Sequence, residues 1–176
     1  HMFLAPDRLP IVREMILADT PKKEAAALEK QRVAQQADFE EILDAMDGLP
    51  VTVRLLDPPL HEFLPRSDDN IDELASSLGL ATRALRTRLE RIEEVNPMLG
   101  HRGVRLAITY PEILEMQMQA LLAGVREASR SQDEPVVLEV MVPFVSTVSE
   151  VHWIRERVMQ IVAASDIPAA ARERFA

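Results

Sequence analysis

The chain has no cysteine. That excludes a disulfide, a thiolate metal site and a cysteine nucleophile within these residues, and it fits a reducing compartment such as the cytoplasm. Aromatic residues are scarce: one Trp, one Tyr and five Phe among 176 residues. A core must therefore be built from Leu, Val, Ile, Ala and Met. Glycine is also scarce, five in all, and this is not the composition of a disordered segment. No apolar run reaches the ~18 residues of a membrane-spanning helix, and no signal-peptide pattern is visible. Positive charge is in deficit, 20 Lys and Arg against 29 Asp and Glu, for a net charge of −9. This argues against nucleic acid and against an anionic membrane surface as partners. It leaves room for a small, locally positive pocket. The length suits one domain or a large piece of a bigger one, and 47% hydrophobic residues can fill a core.

What is present reads as helices alternating with short apolar segments. Leu9, Val12, Ile16 and Leu17 have helical spacing. Thr20-Pro21 is a helix start, and residues 22–46 should follow as one long helix. Its apolar face would be Leu28, Phe39, Ile42, Leu43 and Met46, with Lys, Glu, Gln and Asp facing water. Gly48 and Pro50 stop it. Residues 51–56 are β-branched and apolar, as in a parallel strand covered on both sides. Residues 60–70 read as a loop, and 71–78 and 81–95 as helices broken at Gly79 and ended by Asn96-Pro97. Residues 102–108 read as a second strand. Thr109-Tyr110-Pro111-Glu112 starts a helix over 111–128. Residues 129–134 form a loop and 136–145 a third buried strand. Thr147 or Ser149 then caps a helix carrying Val151, Ile154, Val158, Ile161 and Val162, before a tail over 166–176. Three strands among many helices predict an α/β chain with parallel strands. So few strands leave open sheet edges, which implies a segment of a larger barrel or sheet, or pairing with another chain.

Charge interrupts two of these apolar segments. Arg54 lies near the C-terminal end of its strand, where parallel α/β folds bind ligands. Its guanidinium matches a phosphate or carboxylate; the plainer alternative is an ion pair with Asp57. Asp57 either orients Arg54 and lines the site, or caps the strand end. In Gly100-His101-Arg102-Gly103 the glycines allow close approach of a ligand to the backbone. Arg102 is the first anion contact there, and Arg105, further along the same predicted strand, is a second candidate. The alternative is a turn bearing surface arginines. His101, beside Arg102, suits a neutral hydrogen-bonding role rather than a base or a metal ligand. His61, Glu62 and Asp57 match no metal spacing and read as solvated loop residues. The methionines, Met116 and Met118 among them, read as core or core rim. No phosphate-binding glycine loop, nucleophile elbow or HExxH motif is present.

These residues carry a family resemblance. The run Arg54-Leu55-Leu56-Asp57-Pro58-Pro59-Leu60-His61-Glu62-Phe63-Leu64-Pro65 resembles the pyruvate, phosphate dikinases of the phosphoenolpyruvate-utilising family. So do Asn96-Pro97-Met98-Leu99-Gly100-His101-Arg102-Gly103-Val104-Arg105-Leu106, Thr109-Tyr110-Pro111-Glu112 and Met141-Val142-Pro143. Arg8-Leu9-Pro10 with the run from Val12 to Ala18 matches as well, so the resemblance covers essentially the whole chain. It implies part of the C-terminal phosphoenolpyruvate/pyruvate-binding domain, a partial (β/α)8 TIM barrel spanning 1–176. In that domain 1–48 is helical, 51–57 a strand, 60–96 a helical insertion, 100–165 a βαβα unit and 166–176 a tail. It further implies that Arg54 and Arg102 bind the phosphate and carboxylate of phosphoenolpyruvate and that Asp57 lines the same site.

The intact enzyme would interconvert ATP, pyruvate and phosphate with AMP, phosphoenolpyruvate and diphosphate through a phosphohistidine. It would use Mg2+ and phosphohistidine and nucleotide-binding domains, as a cytoplasmic homodimer. An Arg-Thr-Glu run before His1 is expected to bring another substrate arginine. The metal-binding carboxylates and a catalytic cysteine are expected beyond Ala176, so the segment is expected to be inactive alone. A phosphoenolpyruvate synthase, the sugar phosphotransferase system's enzyme I, or a standalone non-catalytic half-barrel that binds a partner are the alternatives.

Overall fold

The computed structural model describes residues 2–93, 98–132 and 135–173. The expected helix end at Asn96-Pro97 lies outside them. In order the elements are α1 (Leu9–Ile16), α2 (Pro21–Ala45), β1 (Val51–Arg54), α3 (Asp68–Leu78), α4 (Thr82–Ile92), α5 (Val104–Thr109), α6 (Pro111–Ser131), β2 (Leu138–Met141), α7 (Val148–Ala164) and α8 (Ala169–Glu173). Single 3-10 turns cover Met2–Leu4 and Leu60–Phe63, the second inside the expected loop. The chain divides into two compact units, His1–Ala27 with Pro58–His101, and Leu28–Asp57 with Arg102–Ala176.

The first unit packs α3 against α4 around Leu17, Leu64, Ile71, Leu74, Ala75 and Leu85. Phe3 and Phe63 meet with ring centroids 6.0 Å apart. Gly79 ends α3 at φ +65, the left-handed cap that glycine adopts without strain. Arg13 Nε donates to the Phe63 carbonyl, and Arg88 to that of Leu17, so two arginines tie down loop backbone.

The second unit is built on α6, whose Ile113, Leu114, Met116, Met118, Leu121 and Val125 are buried. It packs against α5 and α7. Gly124 lies so near Phe39 of α2 that a Cβ there would sit 3.1 Å from the Phe39 Cβ. β1 and β2 pair in parallel, Val51 with Leu138 through Arg54 with Met141. The buried Gln117 Oε1 accepts from the Leu56 N–H at 3.0 Å, pinning the chain after β1 to α6.

Several expectations need correction. Residues 102–108 are not a strand, so the described sheet has two strands and the segment from 100 is not βαβα. Gly103, at φ 56 and ψ −129, turns the chain in a way open to glycine. The Gly103 and Val104 N–H groups donate to the Asp57 and Pro143 carbonyls, and α5 begins there. Six residues are too few for Val104, Leu106 and Ile108 to separate a period of 2 from one of 3.6. Thr109 does not cap α6; its hydroxyl bonds back to the Arg105 carbonyl inside α5. Nor are the strands covered on both faces. Val51 and Leu138 are buried, whereas Thr52, Arg54, Glu139 and Met141 are exposed.

On α2 the buried stripe is Ala27, Gln31, Gln35, Phe39 and Leu43, while Ile42 and Met46 are exposed. An i, i+4 row chose the face, and it swallowed two glutamines expected in water. Neither amide atom of Gln31, nor the Gln35 Oε1, has a hydrogen-bond partner among the described residues. On α7 Ile154 and Val162 are buried, but Val151 is exposed. Met116 and Met118 are core, as expected, but the expectation fails for other methionines: Met46, Met98 and Met141 are exposed. No helix among the described residues is long and apolar enough to cross a membrane.

Candidate functional site

The two parallel strands end side by side; the chain leaving β1 carries Asp57, and the turn into α5 brings Arg102 to it. Alternation along β1 puts Arg54 on the exposed face with Thr52. Three residues later Asp57 turns back. Its Oδ2 lies 3.5 Å from Arg54 Nη1 and 3.0 Å from Arg102 Nη2, and its Oδ1 accepts from Arg102 Nε at 3.3 Å. One carboxylate thus joins both arginines, holding Arg102 by a two-point contact of the planar kind that fixes a guanidinium's plane. The Arg102 side chain is only 15% exposed and that of Asp57 18%, against 61% for Arg54. Arg102 is therefore the anchored member and Arg54 the outward one. The ion pair foreseen as the alternative role for Arg54 exists, but Arg54 is not internal.

The backbone fixes this arrangement. The Gly103 N–H donates to the Asp57 carbonyl at 3.1 Å and the Val104 N–H to that of Pro143 at 3.0 Å, so the start of α5 is tied to the exits of both strands. Arg105, the second residue of α5, approaches Ser146 Oγ at 3.4 Å and Glu150 Oε1 at 3.9 Å. The Glu150 carboxylate accepts from the Ser146 and Thr147 N–H groups, which hold its pKa below the usual range. Arg102 and Arg105 both lie against the Phe144 ring, with guanidinium carbons 5.0 and 5.3 Å from its centroid.

Three predicted residues, Arg54, Asp57 and Arg102, meet, and Arg105 stands beside them. His101 is half-buried and belongs to the first unit. The loose acid and histidine group is divided, with His61 and Glu62 in the first unit and Asp57 in the second. No group of three or more His, Cys, Asp or Glu among the described residues could hold a metal ion. Sequence reasoning missed Phe144 and Glu150. The first sits in an apolar run and passes for core. The second was legible in part, because Thr147 with Glu150 three residues on is a capping box.

The cluster can hold an anion between two arginines whose mutual repulsion one carboxylate relieves. The profile of a family described as PEP-utilising enzyme, PEP-binding domain matches residues 1–171. The chain belongs to this family of phosphoenolpyruvate-utilising enzymes. Its relatives within the PEP-utilising family include pyruvate, phosphate dikinase of Rhizobium meliloti (strain 1021), 48% identical over 158 residues, which are 90% of this chain and 18% of the relative. Pyruvate, phosphate dikinase 1, chloroplastic, of Arabidopsis thaliana is 51% identical over 154 residues, 85% of this chain and 16% of the relative. The pyruvate, phosphate dikinase of Clostridium symbiosum is 38% identical over 161 residues, 92% of this chain and 18% of the relative. The chain thus spans less than a fifth of the length of these PEP-utilising relatives.

Proposed function

We propose that this chain is part of the phosphoenolpyruvate/pyruvate-binding barrel of a pyruvate, phosphate dikinase, and that Arg54 and Arg102 grip the phosphate and carboxylate of phosphoenolpyruvate. The observation that carries the reading is the Asp57 carboxylate joining both arginines at the mouth of two parallel strands. Family membership and the names of the relatives support the same substrate. In the intact enzyme a phosphohistidine from another domain delivers its phosphoryl group to the enolate oxygen of pyruvate. A base supplied outside this chain takes the methyl proton to give the enolate, the N–P bond breaks and the O–P bond forms.

The work of these residues is electrostatic. Arg102, already oriented, offers N–H edges to charge that spreads over the transferring oxygens. Arg54, more exposed, can swing from Asp57 to the incoming anion and leave Asp57 to Arg102. Magnesium, which the intact enzyme would use, finds no group of three or more His, Asp or Glu to hold it among the described residues. The homodimer, the cytoplasmic location and the phosphohistidine and nucleotide-binding domains belong to the same proposal, as does inactivity of the segment alone.

The test is Arg54→Ala in the full-length parent. Losing one of the two guanidinium donors to the transferring charge should lower kcat/KM for pyruvate phosphorylation by about 100-fold or more. Arg54→Lys, which keeps charge but not the planar fork, should recover only part of it. Unchanged turnover in Arg54→Ala would remove this site assignment.

A further inference from the structure

Phe144 plays no part in the reading above, yet the backbone holds it in an unusual way. It follows Pro143 beyond β2 at φ 67, a left-handed conformation that a bulky side chain rarely adopts, and no other non-glycine described residue shows a positive φ. The ring is half-buried, so it is not held there as part of the closed core. The neighbours account for it better. Gly103 passes so close that a Cβ would lie 2.7 Å from both the Phe144 Cβ and the Pro143 carbonyl oxygen. On either side of that glycine in sequence stand Arg102 and Arg105, and both guanidinia lie against the one ring.

A ring face attracts a guanidinium without neutralising it and without occupying its N–H edges as a carboxylate would. Asp57 bonds Arg102, and Glu150 stands near Arg105, which limits the repulsion between the two cations. The ring therefore sets direction where a further carboxylate would cancel charge.

We propose that Phe144 is a positioning residue: its ring aims the Arg102 and Arg105 guanidinia at one phosphorylated carboxylic acid, with Arg105 as a third cation of the site. This rests on the anion site proposed above and adds a residue to it. The left-handed turn is then the means by which the exit of β2 delivers an aromatic face to α5.

The experiment compares Phe144→Leu, Phe144→Tyr and Phe144→Gly in the full-length protein, with phosphoenolpyruvate as the varied substrate. Leu keeps apolar bulk without a ring. Tyr keeps the ring. Gly accepts the positive φ and drops the side chain. The Leu and Gly variants should raise KM for phosphoenolpyruvate about 2- to 30-fold, and Tyr should stay within about twofold of the parent. The melting temperature of Phe144→Gly should not fall, which a purely structural role would require. If Leu and Gly keep the parental KM while Arg102→Ala loses activity, the anion site stands and the role of Phe144 is overturned. Lost activity in Phe144→Gly with a lowered melting temperature, alongside a parental Phe144→Leu, overturns it too. If Arg54→Ala and Arg102→Ala both keep parental turnover, the anion site falls and the proposal falls with it.

Discussion

Gly103 shows how one missing side chain can govern a charged site. Its backbone bridges the exits of both strands, at a φ of +56 and with no room for a Cβ. Gly103→Ala should therefore cost at least about 1–3 kcal/mol from backbone strain alone, before any overlap with Phe144 is relieved. A denaturant melt should show the loss, and a midpoint equal to wild type would mean that the turn does not require glycine at this position. The charged residues at this scale were legible. Arg54 and Asp57 stand out because charge at the end of an apolar strand is costly unless it is used or paired. Gln31 and Gln35 were not legible, because a glutamine on a helix rich in Lys and Glu reads as solvated until the packing face is known. Phe144 was hidden for the opposite reason: its neighbours Val142 and Val145 make it look like core.

Chemical punctuation marked element ends well, Thr109 excepted, whereas period alone misled over residues 102–108. Gly79 and the Thr147 start lie where turn and cap chemistry placed them. The misread segment, α5, has six residues, no side-chain cap and an entry governed by contacts between residues 46 and 39 positions apart in sequence. The start of α7 allows a clean test. Thr147 Oγ1 accepts from the Glu150 N–H, while Glu150 accepts from the Ser146 and Thr147 N–H groups. Thr147→Ala should cost about 1 kcal/mol at neutral pH. The Glu150 pKa is depressed by those backbone donors. The stability it contributes is therefore complete above the usual carboxylate range and lost as pH falls through its folded value. In Glu150→Gln, melts between neutral and acid pH should lose part of their slope in that window. The same substitution removes the carboxylate near Arg105, so if the proposed anion site holds, phosphoenolpyruvate affinity reports that contact separately. An unchanged acid slope would show that Glu150 does not titrate from the capped state.

Across the whole molecule the buried residues are unevenly spread. On α6 they run the length of the helix, Ile113 to Ala128, whereas α4 buries Leu85 alone. That difference was only half visible in sequence. The pattern of α6 is dense enough to mark a core helix, but a sparse amphipathic pattern such as that of α4 does not say how much surface will meet it. The expected alternation of strands and helices was also only half right, because the loop exits rather than a third strand receive the glycine turn. Uneven burial has a dynamic consequence. Segments with few buried apolar side chains open locally at low free energy, and well-buried helices approach the cost of global unfolding. Amide hydrogens of α6 should exchange at least about 100-fold more slowly than those of α4, once corrected for intrinsic rates. Gln117 ties Leu56 to α6, and α5 packs on the same helix, so the Arg54–Asp57–Arg102 cluster rests on the slowly exchanging part. Preorganised donors need such a base, since a guanidinium that wanders loses its advantage over water. If α4 and α6 exchanged alike, the cluster would owe its geometry to the pairing of its charges alone, and Asp57→Asn would then scatter both arginines.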